Sequence, residues 1–172
     1  MTSTDPFAVL GVERRFALDR DALERRYRDL QRALHPDRHV DKAPSERRVS
    51  LERAIEVNEA YRVLKNDLSR AEALLRLAGV DTRHEGTRGD PSFLMEMMEL
   101  REELGDARAN RDSTKLARLR ARVVAMRAKG FERLRAGLDS GSSNPAALLP
   151  ELEQIRYYQR FLDEVDASEE TA

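Results

Sequence analysis

The sequence of 172 residues contains no cysteine, few glycines and prolines, and no pattern typical of strands. The absence of cysteine excludes disulfide bonds, thiolate nucleophiles, zinc knuckles and cysteine-ligated clusters held by this chain. The 8 glycines and 6 prolines fall mostly at predicted breaks, and no stretch shows the alternating β-branched pattern of a strand. The sequence therefore predicts an all-α fold.

A strong net charge and a long hydrophobic run are also missing. The formal net charge is -1, which argues against a nucleic-acid binder whose affinity depends on neutralising phosphates. No run is long enough to cross a membrane, and residues 1–5 show no basic-then-apolar signal, so we expect a cytoplasmic protein. With 37% charged and 40% hydrophobic residues, the chain is expected to form one or two small, elongated helical domains.

The tripeptide His35-Pro36-Asp37 is the most informative motif, because it lies between two strongly helical segments. Upstream of it, apolar residues recur at spacings of four, three and four and so share one helix face: Leu23, Tyr27, Leu30 and Leu34. Pro36 disfavours helical dihedral angles at His35 and removes a backbone donor, so this helix must end here. We therefore predict a rigid, exposed corner that carries an imidazole and a carboxylate.

Four helices are predicted in the first half of the chain. The helix before the corner begins after the N-cap Asp19, and Arg25, Arg28 and Arg32 lie largely away from its apolar face. The other three are predicted at residues 6–10, 45–65 and 68–78, and glycines end the first and the last. The helix over 45–65 is expected to pack antiparallel to the one before the corner. Its predicted inner face carries Leu51, Ala54, Asn58, Tyr61 and Leu64.

A break divides the chain near its middle. Residues 80–89 are polar, contain two glycines and lack helical periodicity, which predicts a linker. Asp90 as N-cap and Pro91 at the first helical position restart a helix, and further helices are predicted over 113–138 and 144–165. Pro150 either kinks the last of these helices or begins it.

The helix after Asp90 has more apolar surface than one core requires. One stripe, spaced four, three, four and three residues apart, is enough to anchor it: Phe93, Met97, Leu100, Leu104 and Ala107. Leu94, Met95 and Met98 form a second apolar patch, bordered by Glu99 and Glu102. The pattern alone leaves two interpretations open, either burial against a second neighbour or a surface that docks a partner.

An enzyme or metal site at the corner is the weaker interpretation. His35, Asp37 and His39 offer two imidazoles and a carboxylate, but three ligands crowded around one proline are poorly placed to converge on an ion. No glycine-rich phosphate loop, nucleophile elbow or dinucleotide fingerprint is present. We therefore expect a non-enzyme without cofactor or metal.

The chain resembles the HscB-type J-domain co-chaperones of iron–sulfur cluster assembly. The first half matches their J-domain at Phe7, Leu10, Gly11, Phe16, Leu18, Asp19, Leu23, Tyr27, Leu30, Gln31, His35 to Arg38, Asn58, Ala60, Tyr61, Leu64, Lys65, Arg70 to Glu72, Leu74, Leu75, Leu77 and Gly79. The resemblance continues at Phe93 to Glu96, Glu99 to Glu102 and Arg160 to Asp163, beyond the blocks that general J-proteins share. It implies a J-domain over 1–79, a linker over 80–89 and a C-terminal three-helix bundle over 90–172. Without the additional N-terminal cysteine-rich module of some eukaryotic relatives, the chain is expected to be of the bacterial type.

The resemblance also implies a function and its residues. A heat-shock-class chaperone ATPase, HscA-like, would contact His35, Pro36 and Asp37 together with the arginines 25, 28 and 32 noted above, and its own residues would hydrolyse ATP. An IscU-like iron–sulfur scaffold protein would contact the second apolar patch, Glu99 and Glu102 at its border, and Phe161 of the last helix. Two alternatives stay open, a J-protein that serves another client and a purely structural helical adaptor.

Overall fold

The computed structural model describes residues 5–35, 37, 43–83, 91–141 and 143–169. Within these residues every regular element is helical, and the all-α prediction is confirmed. The chain divides into two compact units, Met1–Val80 and Asp81–Ala172. None of the described helices carries an apolar stretch long enough to span a membrane.

The described residues of the first unit form four α-helices, α1 (Pro6–Leu10), α2 (Arg20–Leu34), α3 (Pro44–Lys65) and α4 (Asp67–Leu77). The prediction of Asp19 as N-cap is confirmed, because its carboxylate accepts hydrogen bonds from the backbone N–H groups of Asp21 (2.9 Å) and Ala22 (3.0 Å). One shared core holds the four helices together. Its buried members are Phe7, Val9, Leu10, Leu23, Val57, Ala60, Leu64 and Ala73.

The predicted inner face of α3 was wrong at Leu51, whose side chain is 62% exposed. Ser50 is buried in its place and donates a hydrogen bond of 3.5 Å from Oγ to the carbonyl oxygen of Leu34 in α2. With Val57, Ala60 and Leu64, Ser50 forms an inward stripe spaced seven, three and four residues apart. A shift of one position turns a helix face by about 100°, so the small polar Ser50 faces inward and the larger, apolar Leu51 faces solvent.

The second unit contains α5 (Pro91–Ala109), α6 (Ser113–Asp139), a short 3-10 helix (Pro145–Leu148) and α7 (Leu149–Glu169). Pro150 lies in the first turn of α7, where its missing N–H costs no helical hydrogen bond, so the second of the two alternatives for Pro150 is correct. The three long helices share one core. It contains Phe93, Met97, Leu100, Leu104, Ala107, Leu116, Leu119, Val123, Tyr158, Phe161, Leu162 and Val165.

Candidate partner-binding surfaces

The corner after α2 presents His35 and Asp37 to solvent, with side chains 55% and 85% exposed. The backbone N–H of Asp37 donates a hydrogen bond of 3.3 Å to Nδ1 of His35. Asp37 Oδ2 lies 3.5 Å from the same nitrogen. His35 therefore fixes the backbone of the corner, and the Asp37 carboxylate stays accessible to a partner. Pro36, like Arg38 and His39, lies outside the described residues.

A polar and aromatic seam joins α2 and α3 beneath the corner. Tyr27 and Tyr61 stack with ring centroids 4.0 Å apart and planes 9° from parallel. Tyr27 Oη donates to Asn58 Oδ1 at 3.1 Å, and the Gln31 amide donates to the same oxygen. Tyr61 Oη donates to the carboxylate of Glu24. These contacts hold the two long helices in register, which positions the corner between them.

The hydrogen bond between Tyr61 and Glu24 changes the pKa of both groups. It raises the pKa of Tyr61 to about 12, because the phenol proton is bound by a carboxylate, and burial adds to this effect. The same hydrogen bond lowers the pKa of Glu24, with further help from Arg28. The pair is therefore a carboxylate and a neutral phenol at neutral pH.

The predicted basic face of α2 is exposed, and two of its three arginines form ion pairs along their own helix. Arg28 Nη2 lies 2.9 Å from Glu24 Oε1, and Arg32 Nη2 lies 2.9 Å from Asp29 Oδ1. Such exposed pairs contribute little to stability, because both charges stay solvated and are screened by salt. A partner with carboxylates could exchange places with Glu24 and Asp29 at small cost.

The second apolar patch of α5 faces solvent. Leu94, Met95 and Met98 are 44%, 64% and 71% exposed, and Glu99 and Glu102 are exposed beside them. The anchoring stripe of the same helix is buried from Phe93 to Ala107. The interpretation that the second patch is also core is therefore wrong, because one stripe already satisfies the packing of α5.

Phe161 does not belong to this accessible surface, which corrects the expectation drawn from the resemblance. Its side chain is 1% exposed, and Leu162, about 100° around the helix, is buried in the same core. The reason is that α7 packs against two helices and so buries a wide arc. Tyr158 packs edge-on against Phe93 of α5, and Ile155 lies against α6.

Sequence reasoning missed a second exposed apolar site, on α3. Leu51 and Ile55 are 62% and 59% exposed and four residues apart, so they share one face of the helix. The signal in the sequence was weak, because Val49, Leu51 and Ile55 do not follow the spacing of a single stripe. Only the observed burial of Ser50 and Val57 separates them from the core.

Comparisons with known proteins cover both units. Residues 89–166 match a family described as the HSCB C-terminal oligomerisation domain, and residues 5–73 match the DnaJ domain. The chain is 37% identical over 168 residues to the co-chaperone protein HscB of Proteus mirabilis, covering 96% of each chain. It is 38% identical over 162 residues to a co-chaperone protein HscB homolog of Burkholderia multivorans, covering 94% of this chain and 91% of the relative.

Two solved structures have the same fold over nearly the whole chain. The chaperone HscB from Vibrio cholerae is 31% identical and superposes with a TM-score of 0.83, covering 98% of this chain and 99% of that one. The human co-chaperone protein HscB is 25% identical with a TM-score of 0.88, covering 98% of this chain and 84% of that one. Both likenesses extend over the two units, so the pairing of a DnaJ domain with a second helical domain is common to them.

Proposed function

Because the chain belongs to the HscB family of J-domain co-chaperones, we propose that it delivers an iron–sulfur scaffold protein to a heat-shock-class chaperone and stimulates the ATPase of that chaperone. The chaperone is of the HscA type and the scaffold of the IscU type. In this proposal the chain has no catalytic residue of its own, and it aids cluster transfer by binding two partners. The unit 1–80 acts as the J-domain, and the unit 81–172 binds the scaffold.

The corner supports the first half of the proposal. The Asp37 carboxylate is exposed and its backbone is held by a hydrogen bond, so it can pair with a basic residue of the chaperone at a smaller entropic cost of ordering the loop. His35 supplies that hydrogen bond, and the fixed φ angle of a proline stiffens position 36. The exposed arginines at positions 25, 28 and 32 of α2 offer positive charge to an acidic surface of the chaperone.

The exposed face of α5 supports scaffold binding, which is the second half of the proposal. Its exposure is the single observation on which the proposal depends. Leu94, Met95 and Met98 are apolar and accessible although the helix is already anchored. Methionine suits a docking surface because its unbranched, polarisable side chain adapts to the shape of a partner. Glu99 and Glu102 at the edge would orient the scaffold and raise the rate of encounter with a basic surface.

The corner and the exposed face of α5 belong to one chain, which lets one molecule bind the chaperone and the scaffold at the same time. A scaffold bound to α5 is tethered to the same molecule that engages the chaperone, so its effective concentration there rises. Capture of the scaffold and hydrolysis of ATP are then coupled without any new contact between scaffold and chaperone.

The test measures ATP turnover by the chaperone with the chain and the scaffold, separately and together. H35Q and D37N should abolish stimulation while leaving scaffold affinity intact. L94A/M98A should keep stimulation by the chain alone and weaken scaffold binding about 30- to 150-fold, since removing these half- to two-thirds-exposed side chains forfeits about 2–3 kcal/mol of burial. V49A, an exposed apolar truncation on α3, is the matched control and should change neither activity.

Two outcomes would contradict the proposal. If both sets of variants damaged both activities equally while the fold stayed intact, the division of labour between the surfaces would be wrong. If the corner variants lost stimulation but the chain did not bind the scaffold, the client would be a different protein.

A further inference from the structure

The exposed face of α5 contains two methionine sulfurs, those of Met95 and Met98. The two side chains are 64% and 71% exposed, and they lie three residues apart, about 60° around the helix. Met97, which lies between them in the sequence, is 3% exposed and belongs to the core of the second unit. One short segment of α5 therefore holds two accessible thioethers and one that is closed to solvent.

Exposure decides which methionine of the chain a dissolved oxidant reaches. The sequence contains no cysteine, so no thiolate competes with the thioethers for the oxidant. Of its five methionines, Met126 is partly buried against the same core as Met97, and Met1 lies outside the described residues. A buried sulfur is reached only through local opening of the fold. A peroxide therefore reaches Met95 and Met98 before Met97.

The reaction at each sulfur is a two-electron oxidation by a hydroperoxide such as hydrogen peroxide. A sulfur lone pair attacks one peroxide oxygen, and the O–O bond breaks as the S–O bond forms. The displaced hydroxide takes the proton that remains on the transferred oxygen and leaves as water. The thioether is thereby oxidised to a sulfoxide and the peroxide is reduced. Methionine sulfoxide reductases reverse the change, because two thiols become a disulfide and the sulfoxide oxygen leaves as water.

A sulfoxide changes the character of the exposed face of α5. It replaces a flexible, apolar thioether by a polar group whose oxygen needs a hydrogen-bond donor. Glu99 and Glu102, as carboxylates, accept hydrogen bonds and cannot donate them. The guanidinium of Arg101 is already engaged, because it donates to Tyr157 Oη at 2.6 Å and lies 3.8 Å from Glu164 Oε2. Covering the oxidised face with a partner would therefore bury polar oxygens without donors, which costs affinity.

Met98 lies at the centre of this face. Around the helix it is about 40° from Leu94 on one side and about 60° from Met95 on the other. Residues at the centre of an interface lose more contact with water than residues at its rim, so a polar change there costs the most affinity. Oxidation of the two methionines therefore changes most of the apolar face and leaves only Leu94 unaltered.

We propose that Met95 and Met98 form a reversible oxidation site through which a hydroperoxide lowers the affinity of α5 for the scaffold. This inference rests on the proposed function, because scaffold binding is the activity that oxidation changes. The corner at residues 35–37 contains no sulfur. Stimulation of the chaperone by the chain alone should therefore persist after oxidation, so that peroxide separates the two activities of one molecule.

The first measurement follows oxidation in the full chain. After exposure to hydrogen peroxide and removal of the peroxide, trypsin releases residues 89–101 as one peptide that contains all three methionines of α5. Fragment masses then assign the added oxygen within this peptide. Met95 and Met98 should be oxidised at least about tenfold faster than Met97, because Met97 waits for local opening. Equal rates at the three sulfurs would refute the site.

The second measurement compares the affinity of the reduced and the oxidised chain for untreated scaffold. Oxidation should weaken binding about tenfold, since polar oxygens are buried without donors, and sulfoxide reductases A and B should restore it. M95L/M98L keeps an apolar face of similar volume without an exposed thioether, so it should bind like the wild type before and after peroxide. M97L is the matched control. It keeps both exposed sulfurs and should lose affinity on oxidation as the wild type does.

The outcomes separate this inference from the proposed function. If both sulfurs are oxidised and scaffold affinity does not change, the oxidation site is refuted and the proposed function stands. If M95L/M98L loses as much affinity as the wild type, or the reductases restore nothing, the damage lies elsewhere and the site is again refuted. A reduced wild-type chain that does not bind the scaffold would overturn both proposals.

Discussion

Gly130 and Gly105 allow one chemical change to be tested in two environments within the second unit. Both lie inside helices, Gly130 in α6 and Gly105 in α5. Replacing a glycine inside a helix by alanine favours folding by about 1 kcal/mol, because alanine loses less backbone entropy. At Gly105 an added Cβ meets nothing within 4 Å, so G105A should raise the free energy of unfolding by about 1 kcal/mol.

At Gly130 the added Cβ would lie 2.9 Å from Cγ1 of Ile155 in α7. The optimal separation of two carbon atoms is about 3.5–4.0 Å, so the contact is severely repulsive. Ile155 is fully buried and β-branched, and its side chain cannot rotate away. Overpacking of this kind costs about 1–3 kcal/mol, which exceeds the gain in helix propensity. G130A should therefore lower the free energy of unfolding by about 1 kcal/mol.

The measurement is urea unfolding followed by circular dichroism, with hydrogen exchange of peptides from α5, α6 and α7 to locate the change. Because both glycines belong to the same unit, each variant serves as the control for the other. A double-mutant cycle with I155A should show a coupling of about 1–2 kcal/mol, since the alanine methyl then enters the vacated space. If G130A stabilised the chain as much as G105A, the close approach of α6 and α7 would be refuted.

Three further predictions concern the first unit. Y61F should bring the pKa of Glu24 back toward its ordinary value in a carboxyl NMR titration, and it should remove the tyrosine that ionises near pH 12 in an ultraviolet titration. Because the pKa of Glu24 is lowered in the folded state, its ionised form stabilises the fold above the unfolded pKa, and this stabilisation is lost as the pH falls through the folded pKa. Because the pKa of Tyr61 is raised, its neutral form stabilises the fold below about pH 10, and this stabilisation is lost as the pH rises toward 12. Y61F should therefore flatten the dependence of unfolding free energy on pH at both the acidic and the alkaline end. R70M should cost about 2–3 kcal/mol in urea unfolding, because the Leu64 carbonyl loses the buried guanidinium that donates to it at 2.7 Å, and R70K should recover only part of the loss. D19A should lower the midpoint of urea unfolding and speed hydrogen exchange in the first turn of α2, and normal exchange there would show that the cap contributes nothing.

Local signals account for the features that could be predicted. Asp19 begins α2 because a carboxylate at the N-cap satisfies the first backbone donors, whatever the rest of the fold does. Pro150 similarly belongs near a helix start, where its missing donor is harmless. The spacing of residues in α5 also predicted its two apolar faces, but it did not predict that one would be buried and the other exposed.

The features that could not be predicted depend on neighbours distant in sequence. The helical spacing predicts Leu51 on the inner face of α3, but the position of α2 brings Ser50 inward. The expectation that Phe161 lies on a surface came from the resemblance, and α7, packed against two helices, buries it together with Leu162. Neither the periodicity of a single helix nor the resemblance could say how many helices would cover these residues or from which side.

The sequence by itself determined which segments are helical, that Asp19 caps α2, and that an imidazole and a carboxylate follow α2, because these features depend on residues within a few positions of one another. Only the tertiary structure decided which faces remain open to partners. Burial is a property of two helices in contact, so the exposure of Met98, the exposure of the pair on α3 and the burial of Phe161 were fixed when the helices packed.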